Sequence, residues 1–144
     1  TGCDSSAYQR LSGIAAEPEE GKMARILIVD DSPTETYKLR EILEKHGHEV
    51  IEAANGADGV ATARSELPEL VLMDVVMPGL NGFQATRQLT KGADTAHIPI
   101  VIVTTKDQET DRVWGKRQGA RDYLTKPVDE DVLLQTVDRM LADA

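Results

Sequence analysis

Leu70-Val71-Leu72-Met73-Asp74-Val75-Val76-Met77-Pro78-Gly79-Leu80-Asn81-Gly82 decides how the rest of the chain is read. Four apolar residues run straight into a carboxylate, a second short apolar run follows, and Pro, Gly and Asn then end any regular element. A short, wholly apolar run is what a strand buried on both faces of a parallel sheet requires. The aspartate at its end is costly, because a charge buried without a partner either destabilises the fold or is neutralised. Asp74 therefore calls for a cation, a metal or a chemical task.

The same pattern recurs on either side of this stretch. Arg25 to Val29 is a first apolar run, and Ser32-Pro33-Thr34-Glu35 supplies an N-cap, a first-turn proline and a capping-box glutamate for the helix that follows. That helix buries Leu39, Ile42 and Leu43, with Tyr37 at the margin, and Gly47 is placed to end it in the left-handed conformation. His48 to Ala53 reads as a second strand, and a helix from the Asn55-Gly56 turn to about Leu67 has Val60, Ala63 and Leu67 on its inner face. Glu69 to Asp74 is the third strand. Asn81 to Lys91 is a helix with Phe83 and Leu89 inward, stopped by Gly92. Ile98 to Thr104 is a fourth strand, and Arg121 to Thr125 a short fifth. Between them, Asp107 to Gln118 is the weakest helix, with Val113 and Trp114 as its large apolar residues and Gly115 inside it. Trp114 has two readings, partial core and part of a partner surface. Asp129 caps a last helix whose stripe is Val132, Leu133, Val137, Met140 and Leu141. Alternating strands and helices predict an α/β fold, a three-layer (βα)5 doubly wound parallel sheet in the flavodoxin-like order 2-1-3-4-5.

Composition bounds the function. The chain has 144 residues, enough for one domain, and its 25 acidic against 16 basic residues give a net charge of −9. That balance argues against nucleic acid as a ligand and favours cationic partners. Cys3 is the single cysteine, so neither an intrachain disulfide nor a cysteine metal cluster is available. No apolar run suits membrane insertion, and the expected location is the cytoplasm. Residues 1–22 hold too little apolar surface to fold and are expected to be a flexible N-terminal extension or added tail, with the domain over 23–144.

Ligands of such sheets sit beyond the carboxyl ends of the strands. Those ends deliver Asp30 and Asp31, Asp74, Thr104 with Thr105, and Lys126 followed by Pro127. Carboxylates gathered in one crevice repel unless a cation joins them, and oxygen-only ligands favour Mg2+. His46, His48 and His97 lack metal-ligand spacing. The metal ligands would be Asp30, Asp31, Asp74 and the backbone carbonyl of Val76. Three carboxylates, a divalent ion and the Lys126 ammonium nearly cancel, and the site suits a phosphoryl group on Asp74 with Thr104 donating to one of its oxygens.

Asp30-Asp31, Asp74 within Met-Asp-Val-Val-Met-Pro-Gly-Leu-Asn-Gly, Thr104 and Lys126-Pro127 together resemble the receiver domain of two-component response regulators, over Met23 to Ala144. The resemblance implies an acidic pair that binds Mg2+, an Asp74 phosphorylated by a histidine kinase or histidine phosphotransfer domain, a Thr104 that senses the phosphoryl group and a Lys126 that contacts it. It further implies that Tyr123 is the aromatic that turns inward with Thr104, and that the peptide before Pro127 is cis. Leu-Glu-Lys-His-Gly-His, Val-Thr-Thr-Lys-Asp-Gln-Glu-Thr-Asp and the run from Pro78 to Lys91 are similar to single-domain, CheY-like regulators of type IV pili. This implies a stand-alone regulator of twitching motility with an unspecified downstream motility protein, and no enzyme beyond its own phosphorylation and dephosphorylation. Val128, Thr105 and Lys106 depart from the commonest receiver pattern, and Lys106 flanks the site. The alternative is a Mg2+-dependent aspartyl-phosphate phosphatase, but such enzymes resemble one another in a second carboxylate two residues after the nucleophile, where this chain has Val76. A binding module that no longer uses phosphate is disfavoured because every site group is present.

Overall fold

The computed structural model describes residues 24–77 and 79–143. The five expected strands form: β1 (Arg25–Val29), β2 (Glu49–Ala53), β3 (Leu70–Met73), β4 (Ile100–Thr104) and β5 (Asp122–Thr125). They pair in parallel in the order β2-β1-β3-β4-β5, the doubly wound arrangement expected. The intervening helices are α1 (Pro33–Lys45), α2 (Gly56–Glu66), α3 (Gly82–Lys91), α4 (Glu109–Arg117) and α5 (Glu130–Asp143).

α1, α2 and α3 start where a side chain satisfies one of their first N–H groups, whereas α4 has no side-chain cap at Gln108. Ser32 accepts from the Glu35 N–H, Asn55 from the Asp58 N–H, and Asn81 forms a reciprocal capping box with Gln84. α1 is followed by Gly47 at φ +89°. The sheet separates two apolar layers. Ile26, Ile28, Leu39, Leu43, Leu133 and Val137 pack on one face, and Leu27, Val29, Val60, Ala63, Ala85 and Leu89 on the other. A smaller cluster of Val75, Ile102, Ala120 and Tyr123, with Phe83 against it, lies beside α4.

Four side chains depart from the expected core. Leu67 is 48% exposed because it is the C-cap of α2 rather than its last buried residue. At φ 48° it turns the chain toward Pro68, and its N–H still donates to the Ala63 carbonyl. Val132 is exposed, one position off the buried row of Leu133, Val137, Met140 and Leu141. Val113 and Trp114 both face solvent, the latter 49% exposed, because α4 turns Gly115 to the sheet. A Cβ on Gly115 would stand 2.8 Å from the Ile102 side chain, so the helix lies too close for a larger residue without adjustment. Of the two readings of Trp114, exposure favours a surface role. The expected tail at 1–22 and the start at Met23 lie outside the described residues.

Candidate functional site

Register brings the site together. β1 and β3 are neighbours with Val29 opposite Met73, so Asp30 and Asp74 leave the sheet side by side. The ladder continues one step past both strands: the Asp74 N–H donates to the Val29 carbonyl at 2.9 Å and the Asp30 N–H to the Ala53 carbonyl at 3.1 Å. On the other side Thr104 pairs with Thr125, and the Lys126 N–H donates to the Thr104 carbonyl at 2.7 Å. The Lys126–Pro127 peptide is cis.

Asp30, Asp31 and Asp74 each offer a carboxylate oxygen within 4.8 Å of the others, with Asp30 and Asp74 buried and Asp31 exposed. Lys126 reaches in from β5. Its Nζ lies 2.6 Å from Asp30 Oδ2 and 3.8 Å from Asp74 Oδ2, so its closer partner is the first-strand carboxylate rather than Asp74. Asp30 Oδ1 accepts the Ser32 N–H at 2.9 Å. Asp74 Oδ1 accepts the N–H of Val75 at 2.8 Å and, more weakly, that of Val76 at 3.4 Å. One Asp74 oxygen is thus held by the backbone while the other faces the ammonium.

The turn after Asp74 is fixed by two glycines. A Cβ on Gly82 would meet the Asp74 carbonyl oxygen at 2.0 Å, and one on Gly56 would meet the Leu80 carbonyl oxygen at 2.1 Å. The backbone at Asp74 and Val75 is therefore pressed against the first turn of α3, and that at Leu80 against the first turn of α2, where only a hydrogen atom fits. Sequence reasoning took Gly56 as a turn and passed over Gly82 as a support of the site; glycine as the first helical residue after an Asn cap is the signal it left unused.

Burial raises the Asp74 pKa above the ordinary carboxylate range, and the Asp30 charge adds to this. Lys126, the Thr104 hydroxyl and the Val75 N–H oppose it. A hard divalent cation suits such a donor set: it would neutralise closely spaced carboxylates that one lysine only partly balances. The crevice over these groups measures about 410 Å3 and includes Asp31, Val76, Thr105 and Lys126 in its wall. It has room for a phosphoryl group and for its approach from solvent.

Thr104 is wholly buried, and its Oγ1 accepts the Lys106 N–H at 3.4 Å, which leaves its own proton to donate. The Lys106 carbonyl accepts the Tyr123 hydroxyl at 2.7 Å. Residue 106, noted from sequence for its side chain, thus joins Thr104 to Tyr123 through its backbone. Tyr123 is only 3% exposed, and burial pushes its phenol up to about 12. The structure adds Arg112, which touches Tyr123 and Thr125 and gave no signal in a stretch of mixed charges.

Known proteins resemble this chain in sequence and in fold. A sequence profile described as the response regulator receiver domain matches residues 26–138. Protein PilH of Pseudomonas aeruginosa is 76% identical over 120 residues, covering 83% of this chain and 99% of that protein. Response regulator PleD of Caulobacter vibrioides is 41% identical over 114 residues, 79% of this chain and 25% of PleD. The solved chemotaxis protein CheY4 of Vibrio cholerae superposes with a TM-score of 0.78 at 32% identity, covering 83% of this chain and all of the other. The receiver domain of a histidine kinase from Syntrophus aciditrophicus gives 0.78 at 35% identity, with 84% and 92% covered. The match runs from the first strand into the last helix, and the chain therefore belongs to the response regulator receiver domains of two-component signalling.

Proposed function

We propose that this chain is a single-domain response regulator of type IV pilus or twitching-motility control, phosphorylated on Asp74 by a histidine kinase or histidine phosphotransfer domain. The observation that carries the reading is the setting of Asp74, a buried carboxylate with one oxygen held by backbone N–H groups and the other facing Lys126. The pathway rests on the likeness to PilH. The domain spans 23–144, residues 1–22 are an extension, and the setting is the cytoplasm; among the described residues no helix is long and apolar enough to cross a membrane.

The Asp74 carboxylate forms a P–O bond while the P–N bond of the donor's phosphohistidine breaks and the imidazole departs with its electron pair. The backbone N–H of Val75 fixes the rotation of the nucleophile. Lys126 shifts its share of charge from Asp30 toward a transferred oxygen, and the Thr104 hydroxyl donates to another. Asp30, Asp31, Asp74 and the Val76 carbonyl would hold Mg2+, which would supply positive charge against the phosphoryl oxygens. Thr104 and Tyr123 then bias the face formed by α4, β5 and α5, where Val113, Trp114 and Val132 are exposed to a downstream partner. Val76, two residues past Asp74, offers no second carboxylate, which speaks against turnover of a separate substrate.

Labelling with a small phosphodonor and Mg2+ tests the proposal. Wild type is expected to take up an alkali-labile phosphate that Asp74→Asn does not; equal labelling of both would overturn it.

A further inference from the structure

The position of Tyr123 is governed from α4 as well as from the crevice. Arg112 places its guanidinium 5.2 Å from the centre of the Tyr123 ring. One of its nitrogens donates to the Thr125 hydroxyl at 2.8 Å and another to the Tyr123 carbonyl at 3.4 Å. The flat cation therefore lies over the ring while gripping the strand at Tyr123 itself and two residues further on. On its other contact the tyrosine hydroxyl donates to the Lys106 carbonyl. None of these polar contacts involves Asp74; beyond its packing against Val75, Ile102 and Ala120, the inward ring is held by α4 and the loop after β4.

We propose that Arg112 is a positioning residue that clamps Tyr123 inward, so that the α4–β5 face is set toward its signalling arrangement ahead of phosphorylation and modification of Asp74 adds a small further shift. The inference rests on the reading of Tyr123 as the switch aromatic. Its physical basis is additive: a cation over an aromatic face is attracted by the ring quadrupole, and a planar fork bonded to β5 loses little further freedom in staying there. An outward turn of the ring gives up both the quadrupole contact and the Lys106 hydrogen bond. A neutral or small residue at position 112 removes the first and leaves the second, which divides the inward preference between α4 and the loop. The chain then behaves as a two-state element whose starting ratio is tuned by one side chain on a helix that itself buries only Gly115.

The test uses the full chain with Tyr8→Phe and Tyr37→Phe, so that incorporated 3-fluorotyrosine reports from Tyr123 alone. Fluorine chemical shift and line broadening by a soluble gadolinium chelate measure how much of the ring is outward, without any phosphodonor. In the Arg112 protein the signal is expected to be shielded from the chelate. Arg112→Ala and Arg112→Met are expected to raise the outward-to-inward ratio about 2–5-fold, with Arg112→Lys in between because it keeps the charge but loses the fork. Beryllofluoride with Mg2+ should move the Arg112→Ala signal back and the parent signal little. A parent signal already open to the chelate overturns the inference. So does an Arg112→Ala signal identical to the parent, whether or not its thermal midpoint falls. Because these arms omit phosphate, they can fail while Asp74 labelling succeeds, and the reverse.

Discussion

At Asp74 burial and the neighbouring Asp30 carboxylate favour the protonated form, while Lys126, the Thr104 hydroxyl and the Val75 N–H favour the charged one, with burial the largest influence. A carboxyl whose folded pKa lies above its unfolded value lends full stability only below that unfolded value, near 3.9, and loses it as pH rises through the folded pKa. At pH 7 the ionised group is therefore a net burden. Asp74→Asn, which keeps an oxygen for the Val75 N–H, is expected to stabilise the protein by about 1 kcal/mol at pH 7. Urea unfolding of both proteins should show that gain shrinking as the pH is lowered through the Asp74 titration. Mg2+ should act in the opposite sense on the pair. Above its dissociation constant each tenfold rise in Mg2+ adds about 1.4 kcal/mol to a protein that binds it only when folded, and thermal melts of Asp74→Asn should show a weaker response than wild type.

Among the elements, the turn between β3 and α3 is the least tolerant of change. Gly82→Ala places a methyl against the Asp74 and Val75 backbone, which no side-chain rotation relieves. We expect a loss of about 2–4 kcal/mol in chemical denaturation, together with poor phosphorylation. Trp114→Ala, on an exposed part of α4, should cost under about 1 kcal/mol while weakening partner capture in a pull-down with the phosphorylated protein. The contrast shows what was legible in the sequence. β1, β3 and β4 announced themselves because they are buried on both faces, β2 and β5 less so because they are partly exposed, and the start of α1 because Ser32 caps it. α4 was faint because its buried position is a glycine, which has no hydropathy to read, and its largest apolar residues lie on the wrong side. Leu67 misled because it continues the helical period one residue past the point where the backbone turns left-handed. The site residues were legible since each stands at the end of a strand already recognised. The preference of Lys126 for Asp30 was not, because it depends on distances between the ends of strands that are not adjacent.

For the molecule as a whole, the amino end of the sheet carries a pH dependence separate from the crevice. His48 is buried, and its Nδ1 accepts the Ala24 N–H at 3.3 Å, a bond only the neutral ring can make. Burial lowers its pKa; Asp138 and Glu69 pull upward and His46 downward. A base whose folded pKa lies below its unfolded value leaves the native state short of a proton that the unfolded chain binds. Stability should therefore fall as pH drops below about 6.5. Urea midpoints between pH 7.5 and 5.5 should fall for wild type and fall less for His48→Gln.

The ion pair between Asp30 and Lys126 joins residues 96 apart in the chain. The crevice is thus assembled from the first, third, fourth and last strands, and its only inward ammonium among the described residues comes with the last of them. A ribosome-bound or clipped chain that ends before residue 126 would hold Asp30 and Asp74 with nothing to balance them. The charge balance of the crevice therefore depends on the last strand of the sheet being in place.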